Sequence, residues 1–288
     1  MSRWARVVLF LLIAGAAALG AAAAYQWLTW PDVAGLAEHP PTTTAFIDAY
    51  RARQRVAGRP TEVAWRWVPW SAISPALKRA VVSGEDMEFF FHHGFSTAEM
   101  KAALKATVEQ GKPLRGASTI TQQLAKNLWL TPSRNPWRKV KEALLTRSLE
   151  RHLPKRRILE LYLNVVEFGP GVYGAEAAAR AYFDEPASAL TDHEAAMLAA
   201  GLPRPRTWHP GHKSSAYLAY VSEIERRMDM ATFIWRYIGE TGPVLDSVPG
   251  LDSPANLDSL AKRDSVPKVD SLFGVDSLHR DSVSDSVP

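Results

Sequence analysis

The 288-residue chain contains no cysteine. Disulfides, thiolate metal ligands, lipid-modified cysteines and thiol nucleophiles are thereby excluded together. A large excess of one charge is also lacking. The formal net charge is +4, so no overall field directs the chain to nucleic acid, and any anion must be held by a local cluster. Alternating β-branched runs are scarce between Trp65 and Glu240, where apolar residues instead recur at three- and four-residue intervals. The folded part therefore reads as mainly α. With 47% hydrophobic and 22% charged residues, the chain suits one substantial globular domain with appendages.

Charge is missing altogether between Arg6 and Asp32. About 20 apolar residues cross a bilayer as a helix, and Val7 to Trp30 supplies that run, with Tyr25, Trp27 and Trp30 at its far end. Residues 1–30 read as a cytoplasmic stub and a single N-terminal transmembrane helix. Arg3 and Arg6 precede the run while Asp32 and Glu38 follow it, which puts the N-terminus in the cytoplasm and the remainder outside. A cleaved signal peptide is the competing reading, because Ala21 to Ala24 offer small-residue cleavage sites. Residues 31–64, with Pro31, Pro40, Pro41 and the basic run RARQR at 51–55, read as a juxtamembrane connector. Residues 65–240 are the folded domain. In residues 241–288 the pair Asp-Ser recurs every six residues from Asp246 to Asp276, a period that is not helical and carries little apolar material, so a disordered tail is expected. Two S-x-x-K matches there, at Ser259 and Ser265, have no K-T-G or S-D-N partner and carry no function.

Three stretches concentrate chemistry. VVSGEDMEFFFHHGF (81–95) sets Glu85, Asp86 and Glu88 beside three phenylalanines and two histidines. Burial disfavours the charged carboxylate, so such acids have a partner, a metal or a raised pKa that is used. General acid–base work, a metal site and the start of a solvated helix all remain open at this point. In RGASTITQQLAKNLWL (115–130), Ser118 or Thr119 can cap a helix whose buried stripe is Ile120, Leu124 and Leu128. Thr119, Gln123 and Lys126 then share another face, where hydroxyl, amide and ammonium suit sugar and phosphate oxygens, although a plain solvated face is the ordinary alternative. In SRNPWRKVKEALLTRSLERHL (133–153), Trp137, Leu144, Leu145, Leu149 and Leu153 supply apolar contacts. Glu142 follows Arg138 by four residues and Lys139 by three, which gives either an ordinary helical ion pair or a basic cradle with one embedded carboxylate. HEAAMLAAGLPRP (193–205) begins like a zinc-protease helix but has Met197 where the second histidine belongs.

Taken in order, EDMEFFFHHG, GASTITQQLAKN, RKVKE, KRRILELYLN with the glycines and AAARAYF after it, and EAAMLAAGLPRP resemble the family 51 glycosyltransferases. These are the peptidoglycan polymerases, and the likeness is to their monofunctional members. It covers about Trp65 to about Pro210. The resemblance implies a lysozyme-like lobe with a smaller membrane-associated jaw lobe, around residues 90 to 115, beside a transmembrane anchor in the bacterial inner (plasma) membrane, with the catalytic domain extracytoplasmic. It implies polymerisation of lipid II into β-1,4-linked glycan with inversion and release of undecaprenyl diphosphate. Such a reaction needs a base for the acceptor hydroxyl and positive charge for the departing diphosphate.

Carried over residue by residue, Glu85 resembles the general base and Glu142 the second acid that organises the diphosphate. Ser118, Thr119, Gln123, Lys126, Arg134, Arg138 and Lys139 match the positions that hold sugar and diphosphate. Asp86, Phe89, His92, Gly94 and Asn164 match the fixed frame. A divalent cation, Mg²⁺ or Mn²⁺, is an open expectation, while no organic cofactor is implied. Implied partners are lipid II, the growing glycan, the membrane and the cell-wall synthesis or division machinery, with no nucleic acid. The sequence departs from the family at Glu185, where a lysine is common. The main rivals are a lysozyme-like glycan-cleaving enzyme, which does not need the Lys126, Arg134, Arg138 and Lys139 group, and an inactive wall-binding scaffold, against which intact Glu85 and Glu142 argue.

Overall fold

A computed structural model of the chain describes residues 2–96, 101, 118–131, 136–212 and 214–239, without the side chains of 18, 19, 22, 23, 27 and 136. The jaw expected near 90–115 falls largely outside these residues, as do Arg134 and the Asp-Ser tail. The described architecture is mainly helical.

Helix α1, Arg3–Leu28, precedes a 3-10 turn at Ala34–Ala37 and α2, Ala45–Val56. Among the described residues no helix is long and apolar enough to cross a membrane. The stretch 31–64, read as a connector, is built into the domain. Thr44 caps α2, Ile47 is fully buried, and Tyr50 packs edge-on to Tyr173. Strand β1, Ala64–Trp65, then pairs in parallel with β3, Val172–Tyr173, which is antiparallel to β2, Glu167–Gly169. This small sheet, in the order β1-β3-β2, arises where the GPG turn reverses the chain, at Gly171 with φ 76°, a left-handed geometry that glycine adopts at no steric cost.

The helices that frame the site start on legible signals. Helix α3, Pro75–Glu85, is capped by the Ser74 hydroxyl and opens on Pro75, whose fixed φ suits a first turn. Helix α4, Ile120–Trp129, opens on a capping box made by Thr119 and Gln122. It packs against α5, Pro136–His152, and α6, Lys155–Val165. After the sheet come α7, Ala175–Phe183, and α8, Asp192–Gly201, whose alanines allow helices to approach closely. Helix α8 lies against α3 and α9, Ser215–Met230, and a short α10, Ile234–Ile238, follows. Leu77, Val81, Leu124, Leu145, Leu149, Ile158, Leu161 and Ile224 meet in one core.

Helix α5 differs from the sequence expectation. Leu145, Leu149 and Leu153 are buried, whereas Trp137 and Leu144 are 75% and 53% exposed. An apolar residue near a helix start need not face the core, because only one side of α5 meets α4.

Candidate active site

The frame of the site is the pair Asp86 and His92. Asp86, which caps the C-terminus of α3, is buried. It accepts the backbone N–H of Ile120 at 2.9 Å, so its carboxylate sits at the positive end of α4. Both of its oxygens lie 3.0 Å from His92 Nε2. His92 Nδ1 accepts the Gly94 N–H at 3.0 Å, so this ring nitrogen carries no proton and Nε2 is the donor to Asp86. Gly94 has φ 90°, and a Cβ there would lie 2.7 Å from Thr146 Cγ2. Its carbonyl accepts the Thr119 hydroxyl at 2.8 Å, which locks the end of the motif to the start of α4. Replacing Asp86 with alanine orphans the Ile120 and His92 donors. An unfolding free energy lower by about 3 kcal/mol, read by denaturant titration, is the expected cost.

Glu85 ends α3, partly accessible, on the side of this frame that faces α4 and α9. Gln123 Nε2 donates to Glu85 Oε2 at 2.6 Å, and Tyr162 Oη donates to Gln123 Oε1 at 2.9 Å. Tyr162 is fully buried, and burial, with Glu85 and Asp86 adding to it, holds its pKa well above the ordinary phenol value. Its hydroxyl thus keeps its proton and orients the amide, leaving the Gln123 NH₂ to face the carboxylate. Burial raises the Glu85 pKa above 4.5; the Gln123 hydrogen bond and Lys126 oppose that rise, Asp86 reinforces it, and Arg227 opposes it.

Lys126 lies one turn along α4 from Gln123 and stands between two acids. Burial lowers its pKa, while Glu142 and then Glu85 raise it, and Arg138 and Lys139 push it back down. Glu142, buried on α5, is engaged by the Lys139 ammonium and by Arg138 Nη1 at 3.5 Å. Three cations therefore surround one carboxylate, leaving net positive charge in a confined place, which suits a diphosphate. Among the described residues no group of three or more histidine or acid side chains converges. Because Glu142 is already held by cations, the described donors do not form a cage for a divalent ion.

Glu85, Gln123, Lys126, Arg138, Lys139 and Glu142 are thus brought together. Ser118 is exposed at the head of α4, with its carbonyl 3.4 Å from Gln123 Nε2. Thr119 is fully buried and committed to its cap. Asn164 holds α6 to the segment after β1, its amide pairing both ways with the Val68 backbone at 2.9 and 3.0 Å. Phe89 lies in the core under Lys155, with the ammonium 4.5 Å from the ring centroid. Phe90 stacks on Tyr237, and Phe91 meets Phe233 and Tyr237, so these two rings spend their surface on α10 and its approach. Glu88 is half-buried and accepts the Ser96 hydroxyl at 2.8 Å.

Sequence reasoning missed α9. Tyr220, Glu223 and Arg227 line its site-facing side, with Arg227 Nε donating to Glu223 Oε1 at 2.7 Å. Tyr220 has its pKa pushed up to about 12, chiefly by burial and then by Glu85, with Arg227 opposing. Their i, i+3, i+7 spacing is a helical face legible in the sequence.

A partly buried carboxylate beside clustered cations on a helical frame suits chemistry in which one group leaves as an anion. The family model described as "Transglycosylase" matches residues 28–229. A protein of Laribacter hongkongensis named biosynthetic peptidoglycan transglycosylase is 47% identical over 189 residues, covering 66% of this chain and 83% of that protein. One of the same name from Thiobacillus denitrificans is 44% identical over 214 residues, covering 74% and 92%. A third, from Azoarcus sp., is 47% identical over 188 residues, covering 63% and 80%. The chain belongs to the transglycosylase family.

Proposed function

We propose that the chain is a peptidoglycan glycosyltransferase that polymerises lipid II, with Glu85 as the base and the Lys126 cluster holding the diphosphate that leaves. The observation that carries this reading is Lys126 between Glu85 and Glu142, which sets a desolvated carboxylate one short span from concentrated positive charge. Glu85 takes the proton of the acceptor sugar 4-hydroxyl as that oxygen attacks the donor anomeric carbon from the face opposite the diphosphate. The carbon–oxygen bond to the diphosphate breaks, its electron pair stays on the diphosphate, and inversion gives the β-1,4 link. Lys126, Arg138 and Lys139 stabilise that charge as it develops, while Glu142 keeps Arg138 and Lys139 aimed at it. Gln123, held by Tyr162, fixes the carboxylate, and Arg227 adds a cation on the acceptor side. Arg134 joins the diphosphate group in this reading.

The same reading makes α1 a membrane anchor in the bacterial inner membrane, with the enzyme domain outside. The 26 residues of α1 span about 39 Å at about 1.5 Å per residue, more than the about 30 Å hydrocarbon layer. The sequence from Val7 to Trp30 carries no charge. The lysozyme-like lobe and its jaw belong to the same proposal.

Purified full-length chain incubated with lipid II is expected to yield a ladder of glycan chains and free undecaprenyl diphosphate. Release of soluble fragments from preformed glycan, without such a ladder, would identify a cleaving enzyme instead.

A further inference from the structure

The small sheet carries a polar cluster that the transfer chemistry does not use. Glu167 and Tyr173 stand opposite each other on β2 and β3, so their side chains share one face. They are 9% and 0% exposed, yet Glu167 Oε1 and the Tyr173 hydroxyl have no hydrogen-bond partner. Helix α2 borders the same place. The Tyr50 ring lies 6.2 Å from that of Tyr173, and Gln54, one turn on from Tyr50, has a third unpartnered oxygen. Two arginines stand at the rim, both exposed. Arg206 Nε is 3.8 Å from Glu167 Oε1, too long for a hydrogen bond, and Arg53 acts on both Glu167 and Tyr173 through its charge. Burial raises the Glu167 pKa, with Arg206, Arg53 and the Gly171 N–H opposing that rise. Burial and then Glu167 raise that of Tyr173, so the phenol keeps a proton that has no acceptor. Neither Glu85 nor Lys126 is among the groups acting on this pair, which is therefore separate from the transfer site.

We propose that this face of the sheet binds a zwitterionic amino-acid group, with ammonium and carboxylate on one carbon. An unpaired carboxylate inside a protein is costly, and an entering ammonium supplies the partner that Glu167 lacks. The guanidiniums outside it then meet the carboxylate of the ligand, a group their planar fork fits. A ligand with one charge satisfies only half of this arrangement. An ammonium alone meets the like charge of the arginines, and a carboxylate alone meets that of Glu167. Arg206, with a side chain 54% exposed, can swing into solvent to admit the ligand. The two sites lie along one side of α9, where Tyr220 feels Glu85, and Tyr217, one turn earlier, feels Tyr182, which in turn feels Glu167. The disaccharide units of peptidoglycan carry short peptides, and three to five residues reach about 10–18 Å. The ligand is therefore the side-chain end of a diamino acid in such a peptide. That source rests on the proposed function, whereas the acid-and-arginine cradle does not.

The test is calorimetric titration of the purified full-length chain with three tripeptides, blocked at both ends and differing in the central residue. That residue is 2,6-diaminopimelate, whose side chain ends in both groups, or lysine with the ammonium alone, or 2-aminopimelate with the carboxylate alone. The diaminopimelate peptide is expected to bind tighter than either by about 10-fold or more, the value of one charge-assisted contact. Glu167→Gln and Arg206→Ala should each remove the preference. Because Arg206 is exposed, its variant keeps the test valid if melting shows that Glu167→Gln does not fold. Equal binding of the three peptides, no binding of any, or a preference that survives Arg206→Ala overturns the inference. Free alanine binding as tightly as the diaminopimelate peptide would make the ligand a dissolved amino acid and overturn the peptide source. Glycan synthesis is measured alongside from lipid II with a diaminopimelate or a lysine stem, and a higher kcat/KM for the former, lost in Arg206→Ala, is expected. Selective peptide binding without glycan from either lipid would reject the proposed function and keep the site. Glycan made at equal kcat/KM from both, with no peptide bound, would do the reverse.

Discussion

Glu85→Gln is expected to lower kcat/KM for glycan synthesis by about 10²–10⁴-fold, the range associated with a positioned general base. The amide keeps the shape of the side chain at the end of α3 and can still meet Gln123, so folding is preserved. Stability supports the assignment from another direction. Burial raises the folded-state pKa of Glu85, with Asp86 adding to the rise, so the protonated form is the one the fold favours. The stability contributed by this group is complete below the unfolded pKa and is lost as pH rises through the folded pKa. The neutral glutamine escapes that loss. At pH 7 the variant is therefore expected to melt at or above the temperature of the unaltered chain, with the advantage vanishing in acid below the unfolded glutamate pKa of about 4.3. An inactive variant that melts well below the unaltered chain at pH 7 would point to a structural role instead.

Lys126→Met is the second large effect. The ammonium sits between Glu142 and Glu85, and methionine keeps the stem while removing the charge. Losing one preorganised group at a developing anion costs about 10²–10³-fold in kcat. The substitution also has a signature that simple disruption lacks. Lys126 lowers the Glu85 pKa, so its removal lets that pKa climb, and the acid limb of the residual activity moves to higher pH. Glu142→Gln lacks this signature, because Glu142 acts on Lys126 and the neighbouring cations rather than on Glu85 directly.

Much of this site was legible because its residues sit at fixed short spacings. The capping box at Thr119, the Ile120, Leu124 and Leu128 stripe, and the triad of Arg138, Lys139 and Glu142 are all local patterns, and local patterns survive folding unchanged. What was harder to read depended on distant elements. Nothing near Gln123 indicates that Tyr162, thirty-nine residues on, orients its amide. Nor does the EDMEFFFHHG motif announce that Phe90 and Phe91 turn to α10, leaving the desolvation of Glu85 to its place among α3, α4 and α9. Trp137 and Leu144 misled for the same reason, since residue type records that a side chain is apolar and only tertiary packing decides whether core or surface receives it. The stretch 31–64 resembled a linker through its prolines, yet β1 is completed by β3 more than a hundred residues later.

In the proposed reaction Glu85 acts as a base whose pKa is set between burial and the Lys126 charge. The pH dependence of kcat/KM on lipid II, measured with the full-length chain and with Lys126→Met, tests this most directly. The predicted result is activity lost as pH falls through an apparent pKa above the ordinary 4.5, with that limb displaced upward in the variant. An acid limb at the same pH in both proteins, or a Glu85→Gln chain that keeps full activity, would contradict it.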